Sequence, residues 1–430
     1  MSQSTAQSVP QSVNSAEDIL IVGAGPAGAT TALFLAKSGI PHTLIDRATF
    51  PRDKADGNVY GSKVIEVLDR LSLDYFPELV AQSDQVLGCR SAHIFTPSRQ
   101  RFDVHVPASA TQATIASPPA AEVPFFTMNR RAFDYFLVQK LDPAYTQQHL
   151  GTALETIERH QDRWRVVVNT GTEQQECFPR LVVVADGANS TLLPQLGHHI
   201  STDRFYDSIQ GYFRGVTGFE ADQQQAQIHP QAAPVPTTFH IEGHFLPESS
   251  PGFFFIVPLA GGVFNVGVGI PRQTAQQHNI DLRDLLHRII QKSFAERFAQ
   301  AEAITDLRSW PIPIGASGRP PISGAGYVVT GDAVGLCNPL TCYGTGNAMI
   351  SGLLAAQQIQ RCVEQQQFDE ATLKDYDHAL YDRLQKEFRH SSVLKAFTQQ
   401  HWLFNLVAKP SVKSVLRPGL KRTAAMMKQL

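Results

Sequence analysis

Three glycines at fixed spacing, Gly23-Ala-Gly25-Pro-Ala27-Gly28, lie between the apolar run Ile19-Leu20-Ile21-Val22 and an amphipathic stretch. Between a strand and a helix, such glycines permit a tight turn and bring a pyrophosphate close to backbone N–H groups. They also let the helix pack closely on the strand. Asp46 stands 18 residues after Gly28, at the end of a second apolar run, where its carboxylate can accept hydrogen bonds from ribose hydroxyls. The chemistry is dinucleotide binding, with Ala27, Arg47 and Arg52 as further candidate contacts around the same turn. These residues do not distinguish one adenine dinucleotide from another.

Two later segments repeat the theme of a strand ending on a carboxylate. The run at 181–185 leads into Asp186-Gly187, and the run at 327–330 into Gly331-Asp332, followed by Pro339 and by Gly344-Thr345-Gly346-Asn347. A carboxylate at a strand end can fix polyol hydroxyls, and a helix starting near Gly344 offers N–H groups and a positive dipole end to an electron-rich oxygen. Arg130, in Arg-x-x-Phe-Asp, reads either as a cofactor contact or as a surface salt bridge. Cys342 precedes the same helix; it reads as a reactive thiolate or, more simply, as a small residue filling space. The five cysteines lack CxxC pairs and the 15 histidines lack ligand spacing, so neither a disulfide framework nor a metal site is expected, and a reducing compartment fits better.

The elements that must position these residues form an α/β chain. Residues 18–46 read as a βαβ unit, 64–71 and 128–141 as helices, 163–178 as a hairpin, and 344–362 as a long helix. From about 201 to 304 the chain becomes aromatic and strand-like, then helical near 281–300. The expected organisation is a disordered polar tail at 1–17 and a discontinuous cofactor domain at 18–88, 124–200 and 305–375. A substrate domain is expected at 89–123 and 201–304, and a basic helical region at 376–430. Candidate substrate-pocket residues are Phe213, Phe253, Phe255, Cys342 and Tyr343. Strand alternation over 252–258 puts Phe253 and Phe255 on one face and Phe254 on the other.

The 430-residue chain carries 37 Lys+Arg against 39 Asp+Glu, which gives no bias toward nucleic acid. Eight of those basic residues lie after Phe388, with no acid among them, interleaved with apolar residues such as Val393, Trp402 and Phe404. The near neutrality thus averages an acidic body and a basic end that reads either as a structural cap or as an amphipathic surface for anionic membranes. No apolar run approaches the roughly 20 residues needed to span a bilayer.

Together the three turns, in this order, resemble the para-hydroxybenzoate hydroxylase-like flavoprotein superfamily. The likeness is greatest to its geranylgeranyl reductase-like branch and extends from Asp18 to about Gln360. Phe50-Pro-Arg52-Asp-Lys54-Ala-Asp56-Gly57 is similar to that branch's FPRxKxCGG segment, with Asp56 in place of Cys. Phe253-x-Phe255-x-Val257-Pro258, eight residues and Gly267-x-Gly269 keep the spacing of its YxWxFP…GxG signature with altered aromatics. Asn347 is what the aromatic hydroxylases carry.

The resemblance implies a Rossmann-type FAD-binding domain with an inserted mixed α/β substrate domain and a C-terminal helical region. It implies FAD held by Asp332 at the ribitol, with Asp186 near the pyrophosphate and Arg130 against the cofactor. No second glycine motif occurs, so NAD(P)H is expected as a transient electron donor. The expected activity is an FAD-dependent oxidoreductase on an apolar small molecule, with an isoprenoid or lipid-like double bond reduced by hydride transfer. The alternative is a monooxygenase or halogenase using NAD(P)H or reduced flavin and O2; a halogenase needs a lysine near the flavin, and Lys54 and Lys63 read as ordinary surface lysines. A non-enzymatic flavin scaffold ranks last. The expected location is cytoplasmic or peripheral to the inner face of a membrane; the oligomeric state is left open.

Overall fold

The computed structural model describes residues 18–405 apart from 56, 83, 106–124, 220–238, 316–317, 401 and 403. The polar tail at 1–17, Asp56, most of the loop before 124 and the basic residues from Lys409 onward lie outside the described residues.

A six-stranded sheet runs in the order Ser323–Gly324, Tyr327–Val329, Leu181–Val184, Ile19–Val22, His42–Asp46 and Thr146–Leu150. All neighbours are parallel except the first pair. Ile19–Val22 and Leu181–Val184 are buried on both faces, which is why they read as unbroken apolar runs instead of alternating ones. The helices Pro26–Lys37 and Thr345–Gln365 pack together through small residues. A Cβ on Gly352 would lie 3.1 Å from Thr31 Oγ1, and that hydroxyl donates to Ala27 O (3.0 Å) and to Gly352 O (3.3 Å).

A ten-stranded sheet lies beside this unit. Its main path runs Glu302–Ala303, Phe205–Arg214, Val263–Pro271, Phe253–Leu259, Phe239–His244, Leu87–Phe95, Phe125–Thr127 and Val59–Tyr60, with Arg308–Pro313 and Arg101–His105 pairing at its sides. It therefore also takes strands from 59–60, 125–127 and 308–313, which the sequence reading grouped with the cofactor domain. Strand pairing joins residues far apart in sequence, so composition shifts along the chain do not mark its edges. The helix Leu282–Ser293 covers one face, and Ile209, Phe254, Val266, Leu286 and Ile289 form the core beneath it. The expected hairpin is part of a small three-stranded sheet, Ala153–His160, Arg163–Asn169 and Gln174–Cys177.

The helix Glu370–Gln399 begins six residues before the expected C-terminal boundary, capped by Asp369, whose carboxylate accepts from Thr372 N at 3.0 Å. Leu373, Tyr376, Leu380, Leu384 and Phe388 recur every three or four residues and are buried in the main core. This stretch is structural, whereas Val393 and Trp402 beyond it are exposed. Among the described residues no helix is long and apolar enough to cross a membrane.

Candidate functional site

A cleft of about 500 Å³ opens at the carboxyl ends of the parallel strands. It is lined by Gly23, Gly25, Ala27, Asp46, Arg47, Arg52, Arg130, Asp186, Gly331, Asp332 and Thr345, together with Trp310 and Lys54. Ligands of open parallel sheets bind at this end because the strand tips and helix N-termini converge there.

The glycine turn is fixed by contact as well as by conformation. Gly23 has φ +108, and a Cβ there would lie 2.7 Å from the Ala185 carbonyl carbon. The following helix begins at Pro26 with no side-chain cap, so its first-turn N–H groups are left for a ligand. Asp46 is buried; its Oδ2 accepts from Ala24 N and its Oδ1 from Ala48 N, each at 2.8 Å. These bonds set the carboxylate's orientation and leave lone pairs for ribose hydroxyls.

Asp186 takes the N–H of Thr191 on Oδ2 (2.9 Å), while its Oδ1 is buried with no hydrogen-bond partner. Burial pushes its carboxyl above the usual range, partly offset by the Ser190 hydroxyl and by the N–H groups of Thr191 and Leu192. Trp310 Nε1 is likewise buried without a partner, and the Lys54 ammonium stands 5.0 Å over the indole ring. Both residues line the cleft, where an orphaned buried polar atom is one that a polar ligand can satisfy. Trp310 escaped the sequence reading: a lone Trp between Ser309 and Pro311 carries no motif, and only its pairing opposite Ser208 brings it here.

Arg130 is not a surface salt bridge. It is 2% exposed and bidentate to Asp134, with Nε and Nη2 each at 2.9 Å, and Arg52 adds a second contact to Asp134 at 3.4 Å. The four-residue spacing of the Arg-x-x-Phe-Asp motif puts both partners on one helix face.

Beyond the cleft the candidates separate. Gly28 serves packing, since a Cβ there would lie 3.0 Å from the Gly23 carbonyl carbon. Pro339, Gly344, Gly346 and Asn347 are outside the cleft lining. Asn347 is fully buried; its Nδ2 donates to Leu336 O (2.7 Å), and its Oδ1 receives Lys63 Nζ (2.6 Å). Lys63 is also paired with Glu387 and is 2% exposed, so the surface reading of this lysine is corrected. Lys54 is corrected too, since it sits in the cleft over Trp310.

The pocket candidates divide in the same way. Phe253 and Phe255 share a face, ring centroids 6.2 Å apart, whereas Phe254 is buried in the opposite core. Their register explains the motif spacing: Phe253 pairs with Gly269 and Phe255 with Gly267. The rings lie across the strand where glycines leave room, a Cβ on Gly267 meeting Phe255 Cζ at 2.6 Å. Gly267→Val is expected to displace Phe255 and destabilise the fold by about 1–3 kcal/mol, read as a lower midpoint in chemical denaturation.

Phe253 packs with Tyr206, Ile312, Ile314 and Cys342 in a small apolar cluster, and Lys395 of the C-terminal helix stands 4.7 Å over the Tyr206 ring. Phe213 is elsewhere, edge-on to Phe298 under the covering helix, because odd-numbered residues of its strand face away from the cleft. Tyr343 packs on the main core, and its hydroxyl accepts from Gly61 N (3.1 Å). Cys342 packs in the apolar cluster of Phe253 and Tyr206, and burial pushes its thiol up to about 12, which favours the space-filling role over a reactive thiolate. Among the described residues no cluster of His, Cys, Asp or Glu is arranged to hold a metal.

Residues 16–386 match the FAD binding domain family. The chain belongs to that family. This flavoprotein is 25% identical over 96% of its length to menaquinone reductase of Mycolicibacterium smegmatis, spanning 90% of that protein. It is 23% identical over 89% of its length to digeranylgeranylglycerophospholipid reductase of Methanocaldococcus jannaschii, spanning 88%. Its fold is similar to a geranylgeranyl bacteriochlorophyll reductase-like protein of Thermoplasma acidophilum (TM-score 0.72, 18% identity, covering 93% and 98% of the two chains). A flavin-dependent brominase shares it as well (TM-score 0.71, 17% identity, covering 96% and 93%). The protein is an FAD-dependent oxidoreductase with a Rossmann-type cofactor fold. The uncapped helix start, the Asp46 carboxylate and the orphaned Asp186 and Trp310 atoms fit such a dinucleotide.

Proposed function

We propose that this flavoprotein reduces a double bond or quinone ring of an apolar, isoprenoid-bearing lipid. The observation that carries the reading is the apolar face of Phe253 and Phe255 over Gly267 and Gly269, their rings tilted 41° to each other, continued by Tyr206, Ile312 and Cys342. A face of that kind excludes water and holds a hydrocarbon by burial, at roughly 25 cal/mol per Å² of apolar surface. The names of the two curated relatives, a menaquinone reductase and a digeranylgeranylglycerophospholipid reductase, support the same substrate class.

FAD, when bound, supplies the hydride chemistry. The protein's part is positioning: the glycine turn and the helix start at Pro26 take the pyrophosphate, Asp46 the ribose and Asp332 the ribitol. Arg130 and Arg52, fixed by Asp134, add positive charge beside the cleft. NAD(P)H fits as a donor that binds transiently. The basic stretch after Phe388, with exposed Val393 and Trp402, supports a location against an anionic membrane, where such a lipid would be met.

Halogen transfer is less well supported, because Lys63 is committed to Glu387 and Asn347, and Lys54 to the face of Trp310. The test is product mass after turnover with menaquinone and with geranylgeranyl lipids, with and without oxygen. Two added hydrogens without an oxygen requirement are expected; an added oxygen or halogen atom would overturn the reading.

A further inference from the structure

A second pocket, a solvent-open depression of about 490 Å³, lies where the strands Leu87–Phe95 and Phe239–His244 end. Arg99, Lys292 and Arg297 border it, and Phe95, His244 and Phe294 form its aromatic walls. It is separate from the FAD cleft. His244 and Phe294 pack on Phe254, whose side chain points away from Phe253 and Phe255.

The charges around it do not cancel. Glu242 Oε2 accepts from Arg297 Nη1 (2.7 Å) and from His244 Nε2 (2.9 Å), which offsets one of the three cations. No ion pair joins Arg99 or Lys292 to a carboxylate among the described residues. Arg99 is held 4.9 Å over the Phe294 ring at the tip of a turn, with φ +63, a conformation uncommon for a side chain this large. Arg99 and Lys292 are exposed and hydrated, and the positive potential they leave unmatched at this site attracts an anion.

Two buried atoms among the bordering residues also lack partners, Arg297 Nη2 and His244 Nδ1. The first is a donor without an acceptor. The second is a lone pair, because the Glu242 carboxylate only accepts and so fixes the proton of His244 on Nε2. An oxyanion that also carries a hydroxyl supplies what both require.

We propose that this pocket binds a phosphate-type oxyanion bearing a hydroxyl, held by Arg99, Lys292 and Arg297 with His244 as acceptor. The oxyanion could come from two sources, a phospholipid headgroup or a soluble phosphate compound. The neighbourhood suits the headgroup. Ser98 N and Oγ donate to Asn405 Oδ1 (3.1 and 2.9 Å), and Phe404 packs on Phe102 and Phe245. The exposed Trp402 is two residues from Phe404, and Lys409 and Lys413 follow in the sequence.

The experiment titrates the full-length FAD-loaded protein with inorganic phosphate by calorimetry. In parallel it measures co-sedimentation with phosphatidylglycerol vesicles, using phosphatidylcholine vesicles as reference. Arg99 and Lys292 are exposed, so Arg99→Gln and Lys292→Gln leave folding intact. Each is expected to weaken phosphate binding about tenfold. If the same substitutions reduce binding to phosphatidylglycerol vesicles and phosphate competes for it, the headgroup is the source. If they weaken phosphate but leave vesicle binding unchanged, the site is confirmed for a soluble phosphate compound. Absence of saturable phosphate binding, or variants that bind like the wild type, would overturn the proposal.

Discussion

Lys63→Met is expected to destabilise the protein by about 3–5 kcal/mol, because it strands the Glu387 carboxylate in a site from which water is excluded. Burial pulls the Lys63 ammonium below the usual lysine range while Glu387 opposes that pull, so the pair is stable only as a pair. The consequence reaches the cofactor region. Glu387 Oε1 accepts from Asn338 Nδ2 (2.8 Å), and Asn338 Oδ1 takes the N–H groups of Leu340 (2.9 Å) and Thr341 (3.2 Å).

Helix Ser62–Leu71, the loop after Asp332 and the C-terminal helix are thereby tied at one point. The measurements are urea denaturation and FAD affinity after reconstitution of apoprotein, and both should fall. The double variant Lys63→Met/Glu387→Met should recover most of the stability, since two apolar side chains bury no charge. A single variant as stable as the wild type would mean that the pair contributes little and that other contacts hold the loop.

Gly23→Ala is the second large effect. At φ +108 an alanine is strained by about 1–3 kcal/mol, and its Cβ would press on the Ala185 carbonyl carbon, where the next strand ends. Relief requires the two strands to part at the point where the pyrophosphate is expected. The purified variant should lose its visible flavin absorbance, with a weaker loss of thermal stability. Retained stoichiometric flavin would show that the turn tolerates the shift and that the cofactor does not rely on its geometry.

Local pattern made much of this legible. The glycine turn, Asp46 and the two later carboxylate turns could be read because each combines an apolar run with a residue type whose backbone or charge is needed at one place. Their four strands lie side by side and parallel in one sheet, so four short segments place the glycine turn and all three carboxylates at the cleft. The phenylalanine alternation was legible for a related reason. A strand has a period of two, and the eight-residue gap to Gly267 matches a hairpin register in which Phe255 faces that glycine.

Other features were not legible because they depend on partners distant in sequence. Lys63 looked like any lysine on an amphipathic helix until Glu387, 324 residues later, took its charge. Trp310 became part of the cleft only when its strand paired with the one carrying Ser208. Phe213 left the pocket because its strand sits in the sheet with odd positions under the covering helix.

By itself the sequence determined the dinucleotide-binding chemistry, the α/β class and the order of the motifs, since these rest on contacts within a turn or between neighbouring elements. Only the tertiary structure decided which charges are buried, which aromatic face stays partly exposed and where positive charge gathers beside Phe294. Burial and pairing depend on what the rest of the chain brings to a residue, and no local pattern encodes that.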